Sequence, residues 1–159
     1  MIKRILALGL VLALVMALLA GCSSTSKSTN LGKLEILRKA VLGGKWQMYQ
    51  VRITLDSGSD FDIDLLDLAN NDKVDGYFYP EKGSGATLEI TAGATVIYKT
   101  EATVTGGTLS DRFSFNATQP VGTAYVLKLH NGGTDKSVSV FLEVIYPSTG
   151  NIRGPIDVK

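Results

Sequence analysis

Most of the chain beyond residue 46 alternates apolar and polar residues with a period of two. Within residues 46–55, for example, Tyr49, Val51 and Ile53 alternate with Gln50 and Arg52. Such alternation is typical of β-strands that bury one face. The same pattern predicts eight strands, within residues 46–55, 60–69, 74–79, 86–90, 94–104, 109–115, 125–129 and 138–144.

Clusters of turn-forming residues separate these strands, as at Gly83-Ser84-Gly85 and Asn131-Gly132-Gly133. Glycine and asparagine tolerate the backbone conformations that tight turns need. Short strands at this spacing predict an all-β fold, a single antiparallel β-sandwich of seven or eight strands that is jelly-roll-like and occupies residues 34–147.

The two ends of this domain are less regular. Residues 34–42 fit either two helical turns, with Leu34, Leu37 and Val41 on one face, or a first strand. Gly43-Gly44 ends that element in either case. Residues 148–159 are predicted to form a C-terminal tail with room for one edge strand.

The first 21 residues have the pattern of a secretory leader. Lys3 and Arg4 precede an uninterrupted apolar run over residues 5–20. A membrane-spanning helix needs about 20 apolar residues, so this run favours a cleaved signal peptide. Residues 22–33 are mostly serine, threonine and other polar residues, which predicts a flexible tether because they cannot bury enough apolar surface to become ordered.

Leu19-Ala20-Gly21-Cys22 resembles the lipobox of bacterial lipoproteins. The resemblance implies that the leader is removed before Cys22, and that Cys22 is acylated. It also implies a protein of the bacterial cell envelope, lipid-anchored on the outer side of the cytoplasmic membrane or at the outer membrane. The alternative is an ordinary leader in which a cysteine stands by chance.

Composition narrows the possible functions. The chain carries 16 basic and 15 acidic side chains, so its bulk charge does not support nucleic-acid binding. Its one cysteine excludes an intrachain disulfide and a cysteine-rich zinc site. The sequence contains neither a Gly-x-Ser-x-Gly nucleophile motif nor a phosphate-binding glycine loop, and we expect a non-enzyme.

Aspartates are concentrated around the second predicted strand. Asp60, Asp62 and Asp64 occupy alternate positions and therefore one face of that strand. Carboxylate oxygens are preferred calcium ligands, so these three residues form a candidate Ca²⁺ site, and we expect no other cofactor. In the alternative, they are solvated strand and turn residues.

Aromatic residues give the second group of candidates. Tyr77 and Tyr79 share one strand face, and they stand on the surface if Phe78 is in the core. Surface aromatic pairs stack on sugar rings or anchor protein partners. Trp46 has the same two interpretations. The alternative is that the tyrosines cover a sheet edge or pack under a loop, and that Trp46 caps one end of the core.

Three stretches resemble GOLD-like β-sandwich domains, with pre-peptidase C-terminal domains as a close second. They are residues 61–67 with the turn at 67–71, residues 109–117, and residues 122–131. The resemblance implies a non-catalytic accessory, adhesion or protein-interaction module.

Taken together, the sequence predicts a membrane-anchored lipoprotein whose sandwich acts as a non-catalytic binding or envelope-scaffolding module. Its expected partners are the membrane, through the lipid anchor, and an envelope protein or glycan. One alternative is a carbohydrate-binding module that uses the surface aromatics. The other is a small carboxylate-dependent hydrolase.

Overall fold

Strands form all the regular secondary structure in residues 33–101 and 111–154, the parts of the chain that the computed structural model describes. There are ten strands: β1 (Lys33–Leu42), β2 (Trp46–Asp56), β3 (Asp60–Leu66), β4 (Lys73–Lys82), β5 (Ala86–Ala92), β6 (Thr95–Glu101), β7 (Asp111–Asn116), β8 (Tyr125–Asn131), β9 (Ser137–Pro147) and β10 (Asn151–Arg153). These two ranges contain no helix, and therefore no helix that is long and apolar enough to cross a membrane.

The strands form two five-stranded sheets, and every pair is antiparallel. The first sheet has the order β1-β2-β9-β4-β7, and the second has the order β10-β3-β8-β5-β6. Along the chain from β2 to β9, each strand lies in the other sheet from the one before it, except that β5 and β6 are neighbours in the second sheet, and this is the connectivity of a jelly roll. The predicted fold class is therefore confirmed. β2 to β9 also correspond one by one to the eight strands predicted from the alternating pattern.

The core lies between the sheets and is filled mainly by alternate residues of the inner strands, whereas β1 and β10 contribute no buried residue. On β2 and β9, for instance, Val51, Ile53, Val140 and Leu142 are fully buried, while the residues between them face outward. Burying a side chain of this size contributes about 1.5–3 kcal/mol. The predicted faces of β4 are confirmed, because Phe78 is fully buried and its two neighbours are not.

β1 resolves the ambiguity that the sequence left at residues 34–42. The segment is a strand, paired with β2 from Lys33↔Thr54 to Leu42↔Trp46, with a bulge between Ile36 and Arg38. The bulge shifts the apolar positions out of strict alternation, which explains why the local pattern fits a helix equally well. Among the described strands, β1 has a neighbour on one side only.

The segment after residue 147 contributes one strand to the second sheet. β10 pairs with the end of β3, and Arg153 places its guanidinium 2.9 Å from a carboxylate oxygen of Asp64. The segment predicted as a tail therefore contains the edge strand for which that prediction left room. The leader, Cys22 and nearly all of the predicted tether lie outside the described residues, as do residues 102–110 and 155–159.

Gly76, in the middle of β4, lets two structural elements approach closely. A Cβ at this position would stand 2.3 Å from the ring of Phe113 and 2.4 Å from the backbone oxygen of Glu143. Phe113 lies opposite Gly76 on β7, so its ring fills the space that a side chain would otherwise occupy. The glycine thus allows β4 to lie between β9 and β7 without a gap.

Candidate functional site

Three aromatic side chains project from the outer face of the first sheet. Tyr77 and Tyr79 come from β4, and Phe141 comes from β9, directly opposite Tyr79. The Phe141 ring lies 5.6 Å from the Tyr77 ring and 5.2 Å from the Tyr79 ring, centroid to centroid. These spacings are typical of offset stacking, so the three rings form one packed group, here called the aromatic cluster.

A row of polar side chains crosses the same face next to this cluster. Register places Gln50 of β2, Glu143 of β9, Tyr77 of β4 and Arg112 of β7 opposite one another in that order. Glu143 is only 8% exposed although it faces outward, and Gln50 donates a hydrogen bond to its carboxylate. Partial burial raises the pKa of Tyr77, and the neighbouring negative charge of Glu143 raises it further.

A shallow depression of about 450 Å³, here called the trough, lies between this row and the neighbouring row of Ile145, Asp75 and Ser114. It is lined by Asp75, Gly76, Tyr77, Arg112, Phe113, Ser114, Glu143 and Ile145. It therefore joins an aromatic wall to two carboxylates and a guanidinium.

The charges in the trough differ in their surroundings. Asp75 lies 3.1 Å from the ammonium group of Lys73. Burial alone would raise the pKa of Asp75, but hydrogen bonds from Ser114 and Lys73 and the charge of Lys73 outweigh it, so the pKa falls below its usual value. Arg112 is exposed and forms no ion pair with another residue of the described ranges. The trough thus offers one cation that a ligand can engage.

The predicted calcium residues lie on the outer face of the other sheet. Asp60, Asp62 and Asp64 share that face, as their spacing predicts, but two of them face cationic partners. His130 Nδ1 lies 2.6 Å from Asp60 Oδ1, Lys128 Nζ lies 3.3 Å from Asp60 Oδ2, and Arg153 binds Asp64.

Asp62 forms no ion pair with another described residue, although Lys128 lies opposite it in the sheet. Desolvation by its neighbours raises the pKa of Asp62, the charge of Lys128 lowers it, and the charges of Asp60 and Asp64 raise it again, with a net increase. Within residues 33–101 and 111–154 no group of three or more histidine, cysteine or acidic side chains is arranged to hold a metal ion. The calcium site stays a prediction.

A second depression, of about 300 Å³, lies beside Asp60. Asp60, Thr87, Glu89, Lys99, Lys128 and His130 line it. Across the strands, Asp62, Lys128, Glu89 and Lys99 alternate in sign, and Lys99 lies 2.9 Å from Glu89. Because most of these charges are already paired, this depression offers a ligand less than the trough does.

The structure brings together two of the three predicted ligand-binding aromatics. Tyr77 and Tyr79 lie 6.4 Å apart with their rings nearly parallel. Trp46 is elsewhere: it is 36% exposed and lies opposite Pro147, four positions along β9 from Glu143. Three further residues of the face, Phe141, Glu143 and Arg112, escaped the sequence reasoning. Phe141 was the one sequence signal for this part of the face, because it is an aromatic residue at an outward position of β9.

The ring geometry bears on the carbohydrate alternative. Sugar-binding platforms expose flat ring faces, whereas the ring of Phe141 packs against both tyrosine rings at interplanar angles of 22° and 25°. The trough, rather than a platform of coplanar rings, is therefore the place on this face where a ligand can fit.

Comparison with known proteins identifies no family. No family model and no curated protein match the chain significantly. Among solved structures, the mitogen of Yersinia pseudotuberculosis is similar at 9% identity and a TM-score of 0.48, covering 61% of this chain and 83% of its own. An uncharacterised Klebsiella pneumoniae protein with a double-stranded β-helix domain is 12% identical, with a TM-score of 0.45 and coverages of 80% and 86%.

The periplasmic inhibitor of g-type lysozyme from Aeromonas hydrophila is also similar, at 12% identity and a TM-score of 0.44, covering 67% of this chain and 91% of its own. At these TM-scores the likeness extends neither to a family nor to a function. The resemblance to GOLD-like domains therefore stays a prediction.

Proposed function

We propose that this chain is a lipid-anchored protein of the bacterial cell envelope whose sandwich is a non-catalytic binding module. In this proposal Cys22 carries the anchor, and the trough with its aromatic cluster is the binding surface. The anchor rests on the lipobox-like sequence at residues 19–22.

One observation supports the binding surface more than any other. Glu143 faces outward, yet it is 92% buried beside Tyr77, and no basic side chain of the described ranges forms an ion pair with it. Burying a carboxylate among neutral partners removes it from water and costs free energy. A sheet face with a structural role alone does not require a carboxylate at this position. A ligand that donates hydrogen bonds to Glu143 and engages Arg112 would compensate for this cost.

The pKa of Asp75 bears on the hydrolase alternative. A glycosidase needs one carboxylic acid that remains protonated near neutral pH, so its pKa must be raised. In the trough, the pKa of Asp75 is instead lowered by Ser114 and Lys73 against the effect of burial. Asp75 is therefore not suited to act as the protonated acid of a carboxylate-dependent hydrolase.

A carbohydrate remains a second candidate ligand because of the chemistry of the trough. Carboxylates such as Asp75 and Glu143 accept hydrogen bonds from sugar hydroxyls, and the ring of Tyr77 forms an apolar wall beside them. A protein partner would use the same groups, with the aromatic cluster as its anchor.

The lipid anchor can be tested by metabolic labelling with a clickable fatty acid. We expect the wild-type chain to incorporate the label and to remain in the membrane fraction. Cys22→Ser should lose both properties. Label retained by Cys22→Ser would contradict the proposed anchor.

The binding surface can be tested with matched charge reversals. Arg112→Glu alters the trough, and Lys99→Glu makes the same type of change beside the second depression. Wild type and both variants are titrated with soluble cell-wall glycan fragments and, separately, used to capture cross-linked envelope proteins. We expect Arg112→Glu alone to abolish the specific signal, and equal loss in both variants would refute the assignment of the trough.

A further inference from the structure

The first hairpin, formed by β1 and the start of β2, exposes an unusual number of apolar side chains. Seven large apolar side chains are exposed in the described ranges, and five of them lie between residues 36 and 46. They are Ile36, Leu37, Val41, Leu42 and Trp46, of which Val41 is the most exposed at 67%. A concentration of this kind on one element indicates a contact surface.

The same hairpin is strongly basic. Residues 33–46 contain Lys33, Arg38, Lys39 and Lys45 but only one acidic residue, Glu35. Glu35 is bound to Arg52, and Lys39 lies 5.3 Å from the centre of the Tyr49 ring. The hairpin therefore carries a local positive charge on a chain that is nearly neutral overall, which is complementary to an anionic surface.

Two features of β1 disfavour strand pairing with another protein. The bulge between Ile36 and Arg38 interrupts the regular spacing of the edge of β1 that pairs with no other described strand. Basic side chains on an edge strand also discourage the addition of a further strand. An occupant that needs no regular hydrogen-bond ladder fits this edge better.

The position of the hairpin in the chain points to a lipid surface. β1 begins at Lys33, eleven residues after Cys22. Eleven residues span at most about 36 Å when fully extended, so an acylated Cys22 holds this edge near the bilayer. A tryptophan with aliphatic and basic neighbours is typical of the membrane–water interface, where headgroup water can still bind the free backbone groups of β1.

We propose that the edge of the β1–β2 hairpin docks on the anionic surface of the bilayer that holds the lipid anchor. The cellular setting rests on the proposed acylation of Cys22, whereas the affinity of the hairpin for anionic lipid does not. The order β1-β2-β9-β4-β7 places the trough, on β9, β4 and β7, at the opposite side of the sheet from β1. Docking by β1 would thus direct the binding surface away from the membrane.

Trp46 is the sole tryptophan of the chain, and its fluorescence reports on this contact directly. The probe is residues 22–159 carrying Cys22→Ser, so that no acyl chain contributes, mixed with vesicles of phosphatidylcholine with or without phosphatidylglycerol. We expect a blue shift and quenching by brominated lipid only with phosphatidylglycerol, both reversed by high salt. Cooperative urea unfolding of the probe confirms that it is folded.

Matched variants separate the hairpin from the rest of the surface. Val41→Ser should weaken binding, whereas Val121→Ser, at a valine that is 70% exposed in the β7–β8 loop, should not. Lys45→Gln should weaken binding about 5-fold, as expected for one basic side chain at an anionic membrane, and Lys82→Gln should leave it unchanged.

Three results would overturn the proposal: unchanged Trp46 emission with phosphatidylglycerol, an equal response to both lipids, or equal effects of the paired variants. A lipid-free dimer in sedimentation, disrupted by Lys39→Glu, would instead assign the edge to a second copy of the chain. Fatty-acid labelling of Cys22 and the Arg112→Glu titration report on the proposed function separately, so either idea can fail without the other.

Discussion

His130 on β8 and Asp60 on β3 lie directly opposite each other, with Nδ1 of the imidazole 2.6 Å from Oδ1 of the carboxylate. Lys128 approaches the other carboxylate oxygen at 3.3 Å. Burial alone would raise the pKa of Asp60, but the hydrogen bonds and charges of His130 and Lys128 outweigh burial and leave the pKa below its ordinary value. The ionised form of Asp60 therefore stabilises the folded state.

Asp60→Asn should destabilise the protein at neutral pH by up to about 1 kcal/mol, the range of partly exposed ion pairs. Because the pKa is lowered on folding, the stabilisation is present above the unfolded pKa of about 4 and is lost as the pH falls through the native pKa. Urea unfolding at a series of pH values measures this directly. A destabilisation that persists unchanged below that range would contradict the ion-pair explanation.

Asp62→Asn is the matched control two positions along the same strand, and we expect the opposite sign. The pKa of Asp62 is raised in the folded state, so its negative charge opposes folding at neutral pH. Removing that charge should leave the free energy of unfolding unchanged or slightly increased. A loss equal to that of Asp60→Asn would show that the two carboxylates are equivalent.

Calcium binding at these aspartates would have to displace the partners that they already have. Asp60 is held by His130 and Lys128, and Asp64 is held by Arg153. We therefore expect no change in the thermal midpoint up to about 1 mM Ca²⁺, the range of extracellular calcium modules. A rise with Ca²⁺ that is reversed by a chelator and absent in Asp62→Asn would instead establish the predicted site.

Gly76→Ala should destabilise the sandwich by about 1–3 kcal/mol. The added methyl group would meet the Phe113 ring at 2.3 Å and the backbone oxygen of Glu143 at 2.4 Å, and the backbone cannot move without disturbing β9. Gly154→Ala is the control, because the nearest of its contacts is 3.9 Å away. Equal midpoints of urea unfolding for the two variants would contradict this role of Gly76.

Tyr125→Phe should cost about 1–3 kcal/mol although it removes only one oxygen atom. The hydroxyl group of Tyr125 accepts hydrogen bonds from the backbone N–H groups of Thr118 and Gln119 at 2.8 and 3.0 Å, which fixes the loop between β7 and β8. Tyr79→Phe serves as the comparison, since the Tyr79 ring stacks on its neighbours and its hydroxyl group has no hydrogen-bond partner among the described residues. Amide hydrogen exchange should accelerate at residues 118 and 119 in Tyr125→Phe, and unchanged exchange would refute the explanation.

The sequence predicts the fold well because the period of two directly reports which side chains are buried. This rule places Phe78 and the tyrosine on either side of it on opposite faces of β4, and the structure shows that Phe78 is on the buried face. The period of two does not identify β1 as a strand, because its bulge and its edge position leave the apolar residues Ile36 and Val41 exposed. Its conformation is decided by pairing with β2, which no local pattern encodes.

The candidate site depends on register between strands that are distant in sequence. Glu143 faces Tyr77 because β9 inserts between β2 and β4, and Arg112 joins the row because β7 pairs with β4. Alternation shows that these residues face outward but does not show which of them meet. The two tyrosines, which share one strand, were within reach of sequence reasoning, and their partners were not.

Photo-cross-linking in living cells tests the central claim, a binding surface at the trough, most directly. A benzoylphenylalanine introduced in place of Tyr77 reports on the trough, and the same residue in place of Asp62 reports on the outer face of the other sheet. We predict a discrete cross-linked species from position 77 and none from position 62. Cross-linking from position 62 alone, from both positions equally, or from neither would contradict the account.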